Sequence, residues 1–252
     1  MKIALTLYTL RQYVQTPQDM AATFKKVKEA GYNTVQLSAL GPVDANQLRK
    51  MLDDAGLEVC ATHVSYERLK NDFGRLIEEH QILRCPHIAI GSLPADMRHK
   101  QGYTQFAIEA TEIGKRICER GFDFSYHNHA FELAKFDGKT GLEIIYEVSD
   151  NKAVLAEIDT YWIQYGGGDP AFWIRKMKNR IKVVHFKDMG IIENTPAMFE
   201  VGEGNLNWNE IIDACKYSKA EWLVVEQDVC QRDPFESIKI SFQNMISMGL
   251  TP

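Results

Sequence analysis

The 252-residue sequence predicts a single α/β domain over residues 1–252, a (β/α)8 barrel of the TIM type. Short apolar runs rich in β-branched residues alternate with longer amphipathic stretches, eight such pairs follow one another at roughly 30-residue spacing, and no composition shift marks a domain boundary. Continuous alternation of this kind is typical of parallel strands joined by helical crossovers. The length agrees with the roughly 250 residues of a typical barrel.

The predicted strands are short and rich in apolar residues, and several predicted helices begin or end at a recognisable residue. Pro17 suits a first helical turn, Gly31, Gly56 and Gly121 suit helix ends, and Asp169 caps a helix that opens with proline. The strands are predicted at residues 3–8, 34–38, 57–63, 86–91, 122–128, 154–159, 181–186 and 222–226. The helices are predicted at residues 17–30, 44–55, 66–83, 101–120, 141–148, 170–179, 208–217 and 234–248, with a long loop over residues 187–207.

Charge and composition exclude several classes of protein. With 29 Lys and Arg against 34 Asp and Glu, the net charge is −5, and no basic tail or dense basic stripe is present. Nucleic acid is therefore not an expected partner, because a protein that neutralises phosphates needs such a surface. The five cysteines are widely spaced and form no CxxC, which argues against a disulfide framework or a zinc–cysteine site.

The beginning of the chain bears on its expected location. Its apolar run is too short and too polar for a signal segment or a membrane span, so it is predicted to be the first strand. We expect a cytoplasmic protein without a membrane partner, with a removed signal sequence as the open alternative. The barrel's outer helices leave a homo-oligomer as a further possibility.

Ligand-type residues follow the last four predicted strands. Active sites of such barrels lie at the carboxyl ends of the strands. Glu132 follows the fifth strand, Asp159 ends the sixth, His185 lies at the end of the seventh, and Glu226 ends the eighth. Carboxylate and imidazole ligands suit a divalent ion, with Mn²⁺ expected first and Mg²⁺, Co²⁺ or Zn²⁺ as alternatives.

Each of these residues also has a plain structural explanation. Without a metal role, Asp159 caps a turn, His185 is a core residue whose ring nitrogens are hydrogen-bonded, and Glu132 is a surface-loop glutamate. Glu226 is the least easily explained in this way, because a carboxylate that ends a buried strand is costly unless it is paired or bound to metal.

Other strand ends carry candidate substrate-binding residues. His127 and His129 share one face of the fifth strand, so either could bind metal or a substrate oxygen beside it. The remaining candidates lie after other strands, and they are His63, Lys187, Arg11 and Trp162.

An ordered set of short segments resembles a known family. The sequence resembles the sugar isomerase/epimerase branch of the xylose isomerase-like barrel superfamily, which also includes the family 2 AP endonucleases, over essentially its whole length. The segments are residues 7–11 (LYTLR), 126–132 (YHNHAFE), 158–162 (IDTYW), 166–170 (GGGDP), 184–188 (VHFKD), 201–204 (VGEG) and 225–228 (VEQD).

The resemblance implies one Mn²⁺-type ion held by Glu, Asp, His and Glu. Asp159, His185 and Glu226 carry over directly. The fifth-strand ligand is assigned to Glu132, with His127 or His129 as the alternative, since relatives place a glutamate where this sequence has the histidine pair. Many relatives also have a glutamate near position 36 of the second strand, where this sequence has Gln36.

The resemblance implies an isomerase or epimerase that acts on a keto-sugar or sugar derivative. The ion acts as a Lewis acid and stabilises an enediolate, while Glu226 and Glu132 form the acid/base pair, and Lys187 and Arg11 bind sugar oxygens. A lyase or dehydratase acting on a keto-sugar, keto-inositol or 3-keto-glycoside is the first alternative. A hydrolase of the DNA-repair type and a non-catalytic sugar-binding barrel are the others.

Overall fold

The computed structural model describes residues 1–252, and its closed barrel of eight parallel strands confirms the predicted fold. The strands in chain order are β1 (Lys2–Thr6), β2 (Thr34–Leu37), β3 (Glu58–Val64), β4 (His87–Ile90), β5 (Asp123–His127), β6 (Lys135–Phe136), β7 (Lys139–Thr140), β8 (Leu155–Asp159), β9 (Ile181–Phe186), β10 (Asp188–Ile192), β11 (Thr195–Phe199) and β12 (Trp222–Val225). Around the barrel the order is β1, β12, β9, β8, β5, β4, β3 and β2, and β2 pairs with β1 to close it.

Helices follow the barrel strands as predicted, except that one predicted helix is divided and an unpredicted short helix, Thr160–Tyr165, follows β8. The predicted helix over residues 66–83 is two helices, because Asp72 leaves helical backbone at φ −134° and ψ 34°. The helices are α1 (Pro17–Glu29), α2 (Ala45–Ala55), α3 (Tyr66–Asn71), α4 (Phe73–Leu83), α5 (Lys100–Cys118), α6 (Gly141–Val148), α7 (Thr160–Tyr165), α8 (Pro170–Lys176), α9 (Trp208–Ser218) and α10 (Pro234–Ser247).

Small apolar side chains fill part of the barrel interior. Ala4, Cys60, Ala61, Val183 and Val224 form a separate buried cluster, whereas the larger core lies mainly between the strands and the helices. Interior positions of such barrels are filled in layers by alternating strand residues. The next inward-facing positions along β8 and β9 are polar, so the barrel changes from apolar to polar toward its carboxyl-terminal mouth.

The predicted loop over residues 187–207 contains a hairpin. β10 and β11 pair antiparallel, and their turn places Glu193 at φ 47° and Asn194 at φ 66°. The Asp188 carboxylate holds the returning chain, because it accepts hydrogen bonds from the backbone N–H of Gly202 and Gly204 and from the Trp208 indole. The segment that follows β9 is therefore a hairpin whose returning chain is hydrogen-bonded to Asp188.

The remaining predictions about chain chemistry concern cysteines and membranes. All five cysteines are free in the structure. None of the helices combines the length and apolar character that crossing a bilayer requires.

Candidate metal centre

Four side chains from adjacent strands meet at the carboxyl-terminal mouth of the barrel. His127 ends β5, Asp159 ends β8, His185 lies in β9 and Glu226 follows β12. Each offers one ligand atom, and these atoms all lie within 4.8 Å of one another. The parallel register explains the convergence, because Asp159 lies opposite His185 and β9 continues beside β12. These residues are called the four-residue cluster below.

The distances within the cluster are short enough for one ion to contact all four residues. His127 Nε2 lies 3.4 Å from Asp159 Oδ2 and 3.9 Å from Glu226 Oε2. His185 Nδ1 lies 2.8 Å from Glu226 Oε2. The structure thus brings together Asp159, His185 and Glu226, as the sequence predicts, and adds His127.

Two atoms of the cluster are buried without a hydrogen-bond partner. They are His127 Nε2 and Asp159 Oδ2. A buried polar atom without a partner is costly, and such an exception calls for an explanation such as an ion. An imidazole nitrogen and carboxylate oxygens are ligands that divalent transition metals accept. The residues present therefore fit a divalent metal ion.

The other polar atoms of these ligands are already engaged, which orients them. His127 Nδ1 lies 3.1 Å from the carbonyl oxygen of Gly91, so a hydrogen on Nδ1 leaves the Nε2 lone pair facing the cluster. Asp159 Oδ1 accepts a hydrogen bond of 2.8 Å from the backbone N–H of Trp162. Asp159 therefore caps α7 with one oxygen and directs the other into the cluster.

Glu132, predicted as the fifth-strand ligand, lies outside the cluster. Its side chain is completely buried, and its carboxylate accepts hydrogen bonds of 2.5 Å from the Tyr126 hydroxyl and 2.9 Å from the backbone N–H of His129. The 3-10 turn Phe131–Leu133 folds the chain back and directs the carboxylate to these donors. Burial raises the pKa of Glu132 to about 7. The geometry replaces Glu132 with His127, its alternative, as the candidate ligand.

A buried lysine lies beside the ligand carboxylates. Lys187 Nζ is 2.6 Å from Asp228 Oδ1, 3.4 Å from Glu226 Oε2 and 3.7 Å from Asp159 Oδ2. Burial by itself would lower the pKa of Lys187, but the three carboxylates raise it above its usual value. Burial, together with the Glu226 charge, raises the pKa of Asp228 to about 6. Lys187 therefore carries a fixed positive charge at the site.

A carboxylate that the sequence analysis missed lies directly beneath the cluster. Glu157 is fully buried in β8, and its carboxylate contacts His63, Gln36 and His185. Burial by itself would raise its pKa, but the two histidines lower it well below the usual value. A signal was available, because Glu157 precedes Asp159 by two residues, and residues two apart in a strand share one face.

A cavity of about 320 Å³ opens above the cluster. Its walls include Tyr8, His63, His129, Trp162 and Asp228, together with Lys187 and Glu226. His129 Nδ1 and Trp162 Nε1 are buried and have no hydrogen-bond partner, so they are free to bind polar groups of a ligand. This volume is at the lower end of the range for small-molecule sites, and the mostly polar lining suits a polar ligand.

Of the other predicted substrate-binding residues, Arg11 lies apart from this cavity. Its guanidinium donates hydrogen bonds to the backbone carbonyl oxygens of Tyr8, at 3.1 Å, and Asp228, at 2.9 Å. Arg11 is not among the residues that line the cavity. Its hydrogen bonds join the two loops that carry Tyr8 and Asp228.

The chain belongs to the xylose isomerase-like TIM barrel family. The family model matches residues 24–243, which contain all four residues of the cluster. The resemblance to the xylose isomerase-like barrels that the short segments carry is thereby confirmed.

Curated relatives are distant and carry different activities in their names. The chain is 23% identical to the rhizopine catabolism protein MocC of Rhizobium meliloti, over 89% of this chain and 80% of the relative. It is 26% identical to an inosose dehydratase of Bacillus thuringiensis (strain Al Hakam), over 49% of this chain and 47% of that protein. The latter match therefore spans about half the length of that relative.

Solved structures share the fold. The structure of a sugar phosphate isomerase/epimerase from Parabacteroides distasonis ATCC 8503 superposes with a TM-score of 0.79 at 23% identity, and it covers 97% of this chain and 93% of that chain. At this identity the likeness establishes the barrel architecture.

Proposed function

We propose that this chain is a metal-dependent isomerase or epimerase that moves a proton at the carbon beside the carbonyl group of a keto-sugar or related polyhydroxy ketone. One observation carries the proposal: the unpartnered atoms His127 Nε2 and Asp159 Oδ2 face each other at 3.4 Å beneath a sugar-sized cavity. The substrate is a small molecule, in keeping with the volume of that cavity.

The metal ligands in this proposal are His127, Asp159, His185 and Glu226. A bound divalent ion, Mn²⁺ in the first instance, supplies Lewis-acid polarisation of the substrate carbonyl group. The ligand set combines two imidazoles with two carboxylates, which suits Mn²⁺, Co²⁺ or Zn²⁺ better than Mg²⁺. This preference is part of the proposal.

The cavity residues bind and orient the sugar. His129 Nδ1 and Trp162 Nε1 have no partner within the protein, so substrate hydroxyl groups are suitable partners. The Lys187 ammonium lies 4.9 Å from the centre of a Trp162 ring, at the same wall. Its fixed positive charge stabilises the negative charge that develops on a substrate oxygen when the neighbouring carbon loses its proton.

Two carboxylates at the cavity wall move the proton in this proposal. Glu132 was the expected partner of Glu226, but Tyr126 and His129 engage it. Asp228 lines the cavity beside Glu226 and takes that role in this proposal. Return of the proton to the opposite face of the same carbon gives an epimer, and transfer to the neighbouring carbon gives an isomer.

A dehydratase is the second candidate, and the inosose dehydratase relative favours it. The same proton removal, followed by loss of a hydroxyl group from the next carbon as water, gives an unsaturated ketone. Mass spectrometry of the product separates the two reactions, because an isomerase keeps the substrate mass and a dehydratase lowers it by one water.

Solvent deuterium exchange tests the proposal. Mn²⁺-loaded protein is incubated in D₂O with ketohexoses, keto-inositols and 3-keto-glycosides, and deuterium at the carbon beside the carbonyl group is measured. At least one class should exchange, and the Asp228→Asn variant should exchange about 100-fold or more slowly while it still binds metal. The exposed Asp213→Asn variant serves as the matched control. Metal-loaded protein that exchanges none of these classes would leave a non-catalytic sugar-binding barrel as the better account.

A further inference from the structure

Glu157 is bound by polar side chains from four other barrel strands. Its Oε1 atom lies 2.6 Å from His63 Nε2 and 2.9 Å from His185 Nε2, and it accepts a 2.8 Å hydrogen bond from Gln36 Nε2. Its Oε2 atom accepts a 2.9 Å hydrogen bond from the Ser125 hydroxyl. A completely buried carboxylate persists only when it is paired in this way.

These contacts fix the carboxylate from both sides. Ser125 Oγ is itself 2.8 Å from His87 Nε2, which is buried deeper in the barrel. The two oxygens of Glu157 therefore have separate partners, and rotation of the carboxylate would break the hydrogen bonds of both oxygens. This arrangement makes Glu157 a rigid acceptor for His185.

The partners of His185 determine which of its nitrogens carries a hydrogen. Nε2 lies 2.7 Å from Gln36 Oε1 and 2.9 Å from Glu157 Oε1, and both of these atoms are acceptors. Nε2 must therefore carry the hydrogen. Nδ1 lies 2.8 Å from Glu226 Oε2, which is also an acceptor, so it carries a hydrogen as well until a metal ion replaces that hydrogen.

We propose that Glu157 is a positioning residue for the metal centre, which holds His185 with its hydrogen on Nε2 and its Nδ1 atom toward the ion. The inference rests on the proposed function, because it assumes that His185 is a metal ligand. Metal-bound histidines commonly donate their second ring N–H to a carboxylate, and such partners raise the basicity of the ligand. In this chain that carboxylate comes from β8.

Gln36 on β2 is a second hydrogen-bond acceptor for His185, and it distinguishes the effect of charge from the effect of an acceptor. Gln36 contributes an amide oxygen to His185 Nε2 and donates its amide N–H to Glu157, so an uncharged acceptor is already present. The proposal is that the negative charge of Glu157, and not merely an acceptor, is needed. An exchange of the two residue types, which moves the carboxylate from position 157 to position 36, keeps the composition and should keep a carboxylate beside His185.

Metal affinity in solution tests the assignment without reference to turnover. Mn²⁺ dissociation constants of the parent protein and of Glu157→Gln are measured by competition with a chromophoric chelator. The variant should bind about 10–100-fold more weakly. The combined Gln36→Glu and Glu157→Gln exchange should recover most of the affinity, and Gln36→Met should bind nearly as the parent does. Glu200→Gln, which changes a buried carboxylate paired with Ser237 and Arg232, should leave the affinity unchanged.

Nitrogen NMR of ¹⁵N-histidine protein loaded with diamagnetic Zn²⁺ provides a second measurement that loss of stability alone would not change. The parent should show a His185 Nε2–H signal that is protected from exchange with solvent. Glu157→Gln should lose this signal. If Glu157→Gln does not fold, the test rests on the double variant that combines Gln36→Glu with Glu157→Gln.

Three results would overturn the inference. Equal affinity and an unchanged His185 signal in Glu157→Gln would overturn it and leave the proposed function in place. Failure of the folded exchange variant to recover affinity would overturn the requirement for a carboxylate. Absence of metal binding by the parent chain would overturn the proposed function together with this inference.

Discussion

His127 Nε2 and Asp159 Oδ2 lie 3.4 Å apart at the mouth of the barrel, and both are buried without a hydrogen-bond partner. The two residues come from adjacent strands, β5 and β8. The Lys187 ammonium is 3.7 Å from Asp159 Oδ2, which is beyond hydrogen-bond distance, and a metal ion between His127 and Asp159 would give both atoms a partner. This relationship is the basis of the proposed metal centre.

Metal binding should stabilise the folded chain. At a free Mn²⁺ concentration of 100 times the dissociation constant, binding adds about 2.7 kcal/mol to the free energy of unfolding. For a chain of this size that corresponds to a rise in Tm of about 5–10 °C. Calorimetry with and without Mn²⁺ measures the rise, and a chelator should reverse it. Asp159→Asn should show only a small Mn²⁺-dependent rise in Tm. A full rise in that variant would mean that the ion binds at another site.

Trp162 should contribute to substrate binding through its indole N–H. Trp162→Phe removes the unpartnered Nε1 donor and keeps an aromatic ring beside His129 and Lys187. Loss of one hydrogen bond of about 1 kcal/mol should lower kcat/KM about 5-fold, mainly through a higher KM. Steady-state kinetics with a substrate found by deuterium exchange measures this. An unchanged kcat/KM would mean that the indole N–H does not reach the substrate.

Asp188 should control the order of the β10–β11 hairpin. Its carboxylate accepts hydrogen bonds from Gly202, Gly204 and the Trp208 indole, and hydrogen bonds to charged groups are worth about 1.5–3 kcal/mol each. Asp188→Asn should lower the free energy of unfolding by about 2 kcal/mol or more. It should also increase hydrogen exchange over residues 188–206. Unaltered exchange in that segment would show that the hairpin is held by other contacts.

Glu132 should make stability depend on pH. Burial raises its pKa from 4.5 to about 7 in the folded chain, so between these pH values the folded state holds a proton that the unfolded state has released. Its contribution is complete below pH 4.5 and is lost as the pH rises through about 7, by up to about 3 kcal/mol. Urea unfolding at pH 5 and pH 8 should show this loss in the parent and not in Glu132→Gln. Parallel behaviour of the two proteins would exclude a buried Glu132 with a raised pKa.

The sequence predicted the barrel and three members of the cluster for one physical reason. Asp159, His185 and Glu226 stand at the ends of apolar strands, and parallel strands bring their carboxyl ends to one mouth. The fifth-strand member depends on the conformation of the chain after β5. A 3-10 turn directs Glu132 back toward Tyr126, and strand spacing gives no information about such a turn.

Two other features were not predicted from the sequence. The β10–β11 hairpin turns through Glu193 and Asn194, whose positive φ values are usually marked in sequences by Asn-Gly or Asp-Gly. Glu157 lies within a strand rather than at its end, and its partners come from strands that are distant in the chain. Only the closed barrel brings these partners around it.

The most direct test of the account identifies the ligands of the bound ion. Pulsed electron paramagnetic resonance of Mn²⁺-loaded protein, with ¹⁵N-labelled histidine, counts the imidazole nitrogens bound to the ion. The account predicts one Mn²⁺ per chain with two histidine nitrogens, of which His127→Gln removes one and Glu132→Gln removes neither. A single histidine nitrogen, unaffected by His127→Gln, together with an altered metal spectrum in Glu132→Gln, would contradict it.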